Sequence, residues 1–102
     1  MVKFNRAKKF TKKNIKNIPK GKTIIYKLKN KNGKNLYTGI AGRGRGEDRL
    51  LEHKELKKDK IPGVVLFQIV QVKNKDIVAK LEKQIIKKEQ PKFNKENKSS
   101  RV

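Results

Sequence analysis

The sequence predicts an α+β fold in which a sheet of three strands is flanked by helices, in the order hairpin, helix, strand, helix. Three observations predict it: two β-rich segments on either side of an Asn-Gly pair, one dense apolar run later in the chain, and two segments typical of helices. A sheet of three strands must be covered to exclude water, and the helices are the elements that can cover it.

The hairpin is predicted over residues 23–40. The segments TIIYKL and NLYTGI flank Asn32-Gly33, the residue pair that most strongly favours a two-residue hairpin turn. With that turn Tyr26 faces Gly39, and Tyr37 lies on the same face as a diagonal neighbour of Tyr26. A three-residue loop would put the two tyrosines on opposite faces, because side chains alternate along a strand. We therefore expect two phenols on one face, with open space beside Tyr26 at Gly39.

A loop, a helix and a strand follow the hairpin. Residues 39–46 form a loop rich in glycine and arginine, and residues 47–57 are predicted to be helical. Glu47 and Asp48 stand in the first turn of that helix, where they suit the positive end of the helix dipole. Residues 64–72, VVLFQIVQV, include seven apolar residues in nine, which is typical of a strand covered on both faces.

A last helix is predicted after that strand. Either Asn74 or Asp76 can cap it, and it runs to about Glu89 before Pro91 stops it. Its expected apolar stripe consists of Ile77, Val78, Leu81 and Ile85.

The chain divides into three parts by composition. Residues 1–22 are expected to form a basic N-terminal extension, residues 23–95 the folded domain, and residues 96–102 a polar tail. The extension carries nine basic residues among apolar ones at a ragged helical spacing. Three interpretations stay open: an arm on nucleic acid, a frayed tail, or a helix on a membrane surface. The missing strongly apolar face favours the first two.

Charge is the strongest feature of the composition. The 102 residues carry 30 Lys and Arg against nine Asp and Glu, a formal net charge of +21, and residues 1–46 hold 15 basic residues and no acid. Such a chain favours a polyanionic partner, because basic side chains release the counterions condensed on phosphates. The alternative explanation is a genome biased towards Lys and Asn codons, which would raise the Lys count without any polyanionic partner.

Several classes of protein are excluded. A chain of 102 residues has room for one domain of ordinary size. It has no Cys, so it forms no disulfide and no thiolate metal site, and its single histidine, His53, cannot build a zinc site of several histidines. No apolar run is long enough to span a membrane, and the N-terminus lacks the apolar centre of a signal peptide. We expect a cytoplasmic protein.

Glu82 stands out by its position in the last helix. Its neighbours three and four residues away are Val78, Ala79, Ile85 and Ile86, all apolar. A carboxylate within an apolar face is costly unless a cation, a metal ion or a hydrogen bond compensates it. The alternative is that Glu82 reaches a lysine from the edge of the face.

Arginine and histidine gather around the start of the first helix. Arg43, Arg45 and Arg49 are three of only five arginines, and His53 lies four residues after Arg49 on the same side of the helix. Arginine holds phosphate bidentately, which lysine cannot do. The alternative is a solvated basic helix start with an ordinary surface histidine.

These groups together suit metal-assisted hydrolysis of phosphodiesters. A carboxylate can hold a divalent ion, an arginine can neutralise developing charge, and a phenolate or imidazole can take a proton from water. A phenol with an ordinary pKa of about 10 needs that pKa lowered to act in this way, and we expect the surrounding cations to lower it.

The ordered motifs resemble the GIY-YIG nuclease family. Ile24-Ile-Tyr26 and Tyr37-Thr-Gly39 match its two-tyrosine signature, and Arg49-Leu-Leu-Glu-His53, Glu82 within LEKQII, and Pro91-Lys-Phe-Asn94 continue the likeness over residues 24–94. The chain departs from the family at Ile24, where the family has glycine, at Thr38, and in a longer loop before Arg49.

The resemblance implies a three-stranded antiparallel sheet flanked by helices and cleavage of DNA with one divalent ion, Mg²⁺ or Mn²⁺. It implies roles for seven residues. Glu82 is the expected metal ligand and Arg49 the phosphate-stabilising residue, Tyr26 is a base candidate, Tyr37 positions water or phosphate, His53 is a proton or phosphate partner, and Gly39 and Asn94 are structural at the site. The basic residues expected to bind nucleic acid are Arg43, Arg45, Lys27 and Lys54.

The favoured hypothesis is therefore a divalent-metal-dependent DNA endonuclease, acting as a monomer or weak homodimer, with RNA not excluded as a partner. The alternative is a non-enzymatic basic nucleic-acid-binding module on the same fold. A binder of anionic membranes acting through residues 1–22 is a third hypothesis.

Overall fold

The computed structural model describes residues 3–55 and 60–94. These residues form an antiparallel sheet with helices on both faces, which confirms the predicted α+β class. The strands are β1 (Lys8–Lys9), β2 (Thr23–Lys29), β3 (Asn35–Ala41) and β4 (Leu66–Val72), in the order β1-β4-β2-β3. The helices are α1 (Lys12–Lys16), α2 (Gly46–Glu55) and α3 (Lys75–Glu89), followed by a short 3₁₀ helix (Lys92–Asn94).

The sheet of the described residues has one strand more than the three predicted. The additional strand is β1, which pairs antiparallel with β4 through Lys8 opposite Phe67 and Lys9 opposite Leu66. An alternating pattern needs more than two residues to be recognisable, so the sequence pattern did not predict β1. The other three strands, β4, β2 and β3, form the predicted antiparallel arrangement.

The N-terminal segment packs onto the domain. Phe10, Ile15 and Ile18 are buried in the same apolar cluster as Tyr26, and the ring of Phe10 meets the edge of Phe67 with 5.9 Å between centroids. Helix α1 begins at an N-cap, Thr11, whose side-chain oxygen accepts the N–H of Asn14. Part of the segment predicted as an extension therefore contributes to the core.

The hairpin of β2 and β3 has the predicted register. Tyr26 pairs with Gly39 and Leu28 pairs with Tyr37, so the two tyrosines lie on one face of the sheet. The prediction that both phenols share a face is confirmed.

The turn of the hairpin differs from the predicted two-residue turn. The N–H of Gly33 donates to the C=O of Asn30 at 2.9 Å, and the N–H of Asn30 donates to the C=O of Lys34 at 3.0 Å, which leaves three residues in the loop. Gly33 has φ of +82°, a conformation that favours glycine. A three-residue loop alone would have separated the tyrosines, but a register shift between Leu28 and Lys29 restores the predicted faces.

Two apolar clusters cover the two faces of the sheet. On the first face, Ile15 of α1, Ile18 just after it and Leu50 of α2 pack against residues of β2 and β4. On the second face, α3 packs against Ile25 of β2 and the end of β4, where Val70 and Val72 are buried. Strand β4 contributes to both clusters, as predicted for a strand covered on both faces.

Helix α3 begins and ends as predicted. The side-chain oxygen of Asn74 accepts the N–H of Asp76 at 2.8 Å, so Asn74 rather than Asp76 is the N-cap. The helix ends at Gln90, which takes a left-handed conformation with φ of +48° immediately before Pro91.

The predicted apolar stripe of α3 is wrong at one position. Ile77 is 45% exposed, whereas Val78, Glu82 and Ile86 are buried and Leu81 and Ile85 are partly buried. The buried face is therefore rotated so that Glu82 lies within it.

Element ends shift by one or two residues elsewhere. Helix α2 begins at Gly46, one residue before the predicted start, and strand β4 begins at Leu66 instead of residue 64. Residues 56 and 57 of the predicted helix, and the predicted tail at residues 96–102, lie outside the described residues. Within the described part of the chain, no helix has the length and apolar content required to cross a membrane.

Candidate active site

Two tyrosines and a histidine form a buried cluster on the face of the sheet that α2 covers. The hydroxyl of Tyr26 lies 2.8 Å from Nε2 of His53, and the ring centroids of Tyr37 and His53 are 4.9 Å apart. The two tyrosine rings have centroids 6.2 Å apart. Strand β2 supplies Tyr26, strand β3 supplies Tyr37, and α2 supplies His53. We call these three residues the phenol–imidazole cluster.

Gly39 is the position where the side chain of Tyr26 crosses strand β3. A Cβ atom at Gly39 would lie 2.5 Å from the hydroxyl oxygen of Tyr26 and 2.9 Å from Cε2 of Tyr37. The phenol therefore fills the open space that the sequence predicts beside Gly39. Any larger residue there would displace the Tyr26 hydroxyl from His53.

A second glycine lets α2 approach the sheet. A Cβ atom at Gly46 would lie 2.8 Å from Cδ1 of both Ile18 and Ile24. Because Gly46 is the first residue of α2, this contact sets where the helix starts relative to β2. The position of α2 in turn determines where Arg49 and His53 meet the phenols.

Arg49 connects the phenol–imidazole cluster to the surface. Its guanidinium hydrogen-bonds the side chain of Tyr26, and its Nη1 donates to Oε1 of Glu52 at 2.7 Å. The Arg49 side chain is 35% exposed. It can therefore meet an incoming anion while it remains held by two neighbours. The partner Glu52 was missed by the sequence prediction, although its spacing of three residues from Arg49 could have indicated it.

Burial raises the pKa of Tyr26 above its ordinary value. The neighbouring phenol of Tyr37 and the negative charge of Glu82 also raise it, whereas the charge and hydrogen bond of Arg49 oppose the rise without cancelling it. The expectation that surrounding cations lower the pKa of this phenol is therefore wrong. The reason is that the fully buried phenolate loses more hydration than one guanidinium restores.

The hydrogen bond between Tyr26 and His53 depends on the tautomer of the imidazole. The phenol O–H can donate to Nε2 of His53 in the tautomer that carries the ring proton on Nδ1. The Tyr26 oxygen can at the same time accept from Arg49.

Glu82 is buried close to Tyr26. It is 3% exposed and lies on the buried face of α3 between Val78 and Ile86, which agrees with the apolar surroundings expected from its helix neighbours. Its charge raises the pKa of Tyr26, so the carboxylate and the phenol are electrostatic neighbours. Glu82 thus acts on Tyr26 through its charge, while the two phenols and the imidazole lie in direct contact on the face that α2 covers.

Asn94 fastens the 3₁₀ helix to strand β3 beside the cluster. The N–H of Thr38 donates to Oδ1 of Asn94 at 2.7 Å, and Nδ2 of Asn94 donates to the C=O of Thr38 at 3.0 Å. Asn94 is fully buried, and so is Thr38. This pair of hydrogen bonds replaces a neighbouring strand at that point of β3, next to Tyr37 and Gly39.

Lys27 lies apart from the phenol–imidazole cluster. It follows Tyr26 on β2 and so points to the other face of the sheet, where its Nζ is 2.7 Å from Oε2 of Glu89 and 4.3 Å from the ring centroid of Phe4. Burial alone would raise the pKa of Glu89, but hydrogen bonds from Lys27 and Asn35 hold it below its ordinary value. Lys27 is therefore engaged in an ion pair on the face opposite the phenols.

The other predicted basic residues differ in how close they lie to the cluster. Arg43 and Arg45 are exposed in the loop before α2. Lys54 lines a depression of about 130 Å³ that reaches His53 and also includes Lys60. This depression gives the buried histidine a side that opens towards two cations.

The residues present fit a single divalent ion. Among the described residues, no three His, Asp or Glu side chains gather as a group that could hold a metal ion. Glu82 is a buried carboxylate, and Mg²⁺ commonly binds through one or two carboxylates, with waters and substrate phosphate oxygens completing its shell. Such an ion would therefore take Glu82 as its ligand from the cluster.

Comparison with protein families identifies this arrangement. The model of the GIY-YIG catalytic domain matches residues 22–97, which include both tyrosines, Arg49, His53 and Glu82. Comparison with curated proteins and with solved structures gave no significant match. The family match covers most of the chain. The chain therefore belongs to the GIY-YIG family of nucleases.

Proposed function

We propose that this protein is an endonuclease that hydrolyses phosphodiester bonds of DNA with the help of one divalent ion, Mg²⁺ or Mn²⁺. The observation that carries the proposal is the burial of Glu82 close enough to Tyr26 for its charge to raise the pKa of that phenol, whose hydroxyl is hydrogen-bonded to His53. A carboxylate is the kind of ligand through which proteins commonly bind Mg²⁺. The net charge of +21 supports a polyanionic substrate.

Glu82 would hold the ion. GIY-YIG nucleases generally use divalent metal ions. When bound, the ion would polarise the phosphate and stabilise the leaving oxygen.

Tyr26 and His53 would act as one proton acceptor. The raised pKa of Tyr26 makes its free phenolate scarce at neutral pH, so the phenol alone is a poor base. It can accept a proton from the attacking water if it passes its own proton to Nε2 of His53 at the same time. The water O–H bond breaks, the water oxygen bonds to phosphorus, and the bond from phosphorus to the leaving oxygen breaks. One proton has then moved from water to the imidazole, and the leaving alkoxide takes a proton from solvent water to become the alcohol.

Arg49 and Tyr37 would bind and orient the phosphate. The guanidinium of Arg49 is partly exposed and already contacts Tyr26, so a phosphate beside it would lie next to the proton acceptor. Arginine can neutralise the charge that develops on the phosphate during hydrolysis. The phenol of Tyr37, on the same face as Tyr26, can donate to a phosphate oxygen or to the attacking water.

The proposal is tested by nicking of supercoiled plasmid. Purified protein should convert supercoiled plasmid to open circles with Mg²⁺ or Mn²⁺ and should leave it intact with EDTA. A panel of linear, branched and mismatched duplexes, together with an RNA duplex, identifies the preferred substrate. Cleavage of the RNA duplex with none of any DNA would contradict the proposal of a DNA substrate.

A non-enzymatic nucleic-acid-binding module is the second candidate. Residues 1–46 contain 15 basic residues and no acidic residue, which favours this candidate. Such positive charge binds phosphates whether or not a phosphodiester bond is cut. Retention of DNA with no nicking across Mg²⁺ and Mn²⁺ concentrations would support this candidate and contradict the nuclease. Binding alone does not discriminate between the two.

A further inference from the structure

A groove opens at one end of the sheet, away from the phenol–imidazole cluster. It has a volume of about 720 Å³ and lies where β2 begins and where β3 and β4 end. Its lining residues are Gly21, Lys22, Thr23, Gly42, Arg43, Val72 and Lys73. We call it the sheet-end groove.

The sheet-end groove is strongly basic. Its three cations are Lys22, Arg43 and Lys73, which come from separate segments of the chain and are all exposed. The described residues that line the groove include no carboxylate. Among the described residues, none of the three forms a salt bridge. The contrast is with nearby Lys20, which pairs with Glu47 at 3.2 Å. The three groove cations are therefore available to an anion.

We propose that the sheet-end groove binds the phosphate backbone of the substrate DNA strand on one flank of the bond that is cut. This inference rests on the proposed function, and it adds a second contact surface to the catalytic cluster. Three converging cations fit successive phosphates better than one compact anion, because they stand on three different strand ends. Arg43 can bind a phosphate bidentately, and the glycines at Gly21 and Gly42 leave room for the backbone to approach.

The distance to the catalytic cluster suits this assignment. Thr23 at the groove and Tyr26 in the cluster are three residues apart on β2, which is about 10 Å at roughly 3.3 Å per residue. A DNA strand advances about 3.4 Å per nucleotide along the duplex axis. The groove would therefore hold phosphates a few nucleotides from the scissile bond. Contacts to phosphates position the strand without reading its sequence.

The test measures the salt dependence of DNA binding in chains that cannot cut. In a Glu82→Gln background, Lys22, Arg43 and Lys73 are all changed to Gln, and affinity for a short duplex is followed by fluorescence anisotropy from 50 to 200 mM salt. Each lost phosphate contact should reduce the slope of log affinity against log salt by about 0.9, so the triple variant should lose up to about 2.7. Its affinity should fall most at 50 mM salt, where counterion release contributes most, and still roughly tenfold or more at 200 mM.

A matched control removes the same charge elsewhere. Lys80, Lys83 and Lys87 are exposed on α3 and lie outside the sheet-end groove. Their triple change to Gln should alter the slope by less than about 1. Equal slopes and affinities for the two triple variants would overturn the proposal, because the effect would then come from net charge alone. Thermal unfolding of each variant checks that both are folded.

The outcome is separable from that of the proposed function. If the unaltered protein nicks plasmid but the groove variant binds DNA like the control variant, the groove assignment is wrong and the nuclease stands. If the groove variant has a smaller salt dependence of DNA binding but the unaltered protein never nicks DNA, the proposed nuclease activity is wrong. The groove is then a nucleic-acid-binding surface. A last measurement adds inorganic phosphate to the bound duplex at constant ionic strength. If millimolar phosphate displaces the duplex, the groove is a site for a small anion, and the assignment to the DNA backbone is overturned.

Discussion

The hydroxyl of Tyr26 lies 2.8 Å from Nε2 of His53, and burial keeps this phenol protonated at neutral pH. The two side chains come from β2 and α2, 27 residues apart in the chain. Their hydrogen bond joins two weak acid–base groups into a unit that can move a proton. The phenol alone is poorly suited to that task, because burial raises its pKa above the ordinary value.

Changing Tyr26 to Phe should stop most cleavage while leaving the fold intact. Removing the hydroxyl breaks the proton path and leaves Nε2 of His53 without its donor. Single-turnover cleavage should fall roughly 10²- to 10⁴-fold, the usual contribution of a general base, and unfolding should become easier by about 1 kcal/mol. His53→Gln should produce a similar loss, and the double variant should be little worse than either single one. Fully additive losses would contradict a joint role.

The raised pKa of Tyr26 is directly measurable, because the chain has two tyrosines and no tryptophan. In the Tyr37→Phe variant Tyr26 is the remaining tyrosine, so the absorbance change that accompanies phenolate formation reports Tyr26 alone. We expect its midpoint above the ordinary value of about 10. A reversible titration of the folded chain at or below pH 10 would contradict the burial argument.

The same shift predicts a loss of stability at high pH. Below about pH 10 the phenol is protonated in both folded and unfolded chains, so its contribution to stability is complete. As the pH rises above that value, the unfolded chain releases the proton first, and the free energy of unfolding falls by up to about 1.4 kcal/mol per pH unit. Lysines titrate in the same range, so the quantity to measure is the difference between the unaltered chain and Tyr26→Phe in denaturant unfolding. An unchanged difference from pH 9 to 11 would refute the linkage.

Changing Gly39 to Ala should displace the phenol. The new Cβ would lie 2.5 Å from the Tyr26 hydroxyl, so either the ring or strand β3 must move. We expect a loss of about 1 to 3 kcal/mol in unfolding free energy, as in overpacked cores, and a large loss of cleavage. Gly21→Ala is the stability control, because nothing lies within 4 Å of a Cβ there. Equal stability of the two variants would show that the close approach is not maintained in solution.

Changing Asn94 to Ala should destabilise the edge of the sheet. It removes two hydrogen bonds and leaves the buried N–H and C=O of Thr38 without those partners. At about 1 to 3 kcal/mol per buried unpaired group, the expected loss for the two groups is about 2 to 6 kcal/mol. Hydrogen exchange at the Thr38 amide should accelerate more than exchange at Ile25 in the middle of the sheet. An unaltered exchange rate at Thr38 would argue against this role of Asn94.

Local sequence patterns predicted the parts of this site that depend on neighbouring residues in the chain. The face shared by Tyr26 and Tyr37, the cap at Asn74 and the apolar surroundings of Glu82 all follow from strand and helix periodicity. The predicted hairpin register is confirmed, but the predicted two-residue turn is wrong. The register survives because a register shift between Leu28 and Lys29 compensates for the extra loop residue.

The features that the sequence did not predict depend on how distant segments dock. Strand β1 exists because the N-terminal segment reaches the edge of β4, and the exposure of Ile77 depends on the rotation of α3 against the sheet. The direction of the pKa shift of Tyr26 was also missed, because the cost of burial is invisible in a count of nearby cations. These features depend on tertiary packing, which the periodicity of apolar residues in the sequence does not predict.

The central claim is that the carboxylate of Glu82 is the chain's ligand for the ion that supports phosphodiester hydrolysis. The most direct measurement compares plasmid nicking by the unaltered chain, by Glu82→Gln, and by Glu55→Gln, which removes a surface carboxylate of α2 that pairs with Lys12. With saturating Mg²⁺, we expect Glu82→Gln to bind DNA normally but to lose nicking, and Glu55→Gln to nick like the unaltered chain. Equal nicking by all three proteins would contradict the account.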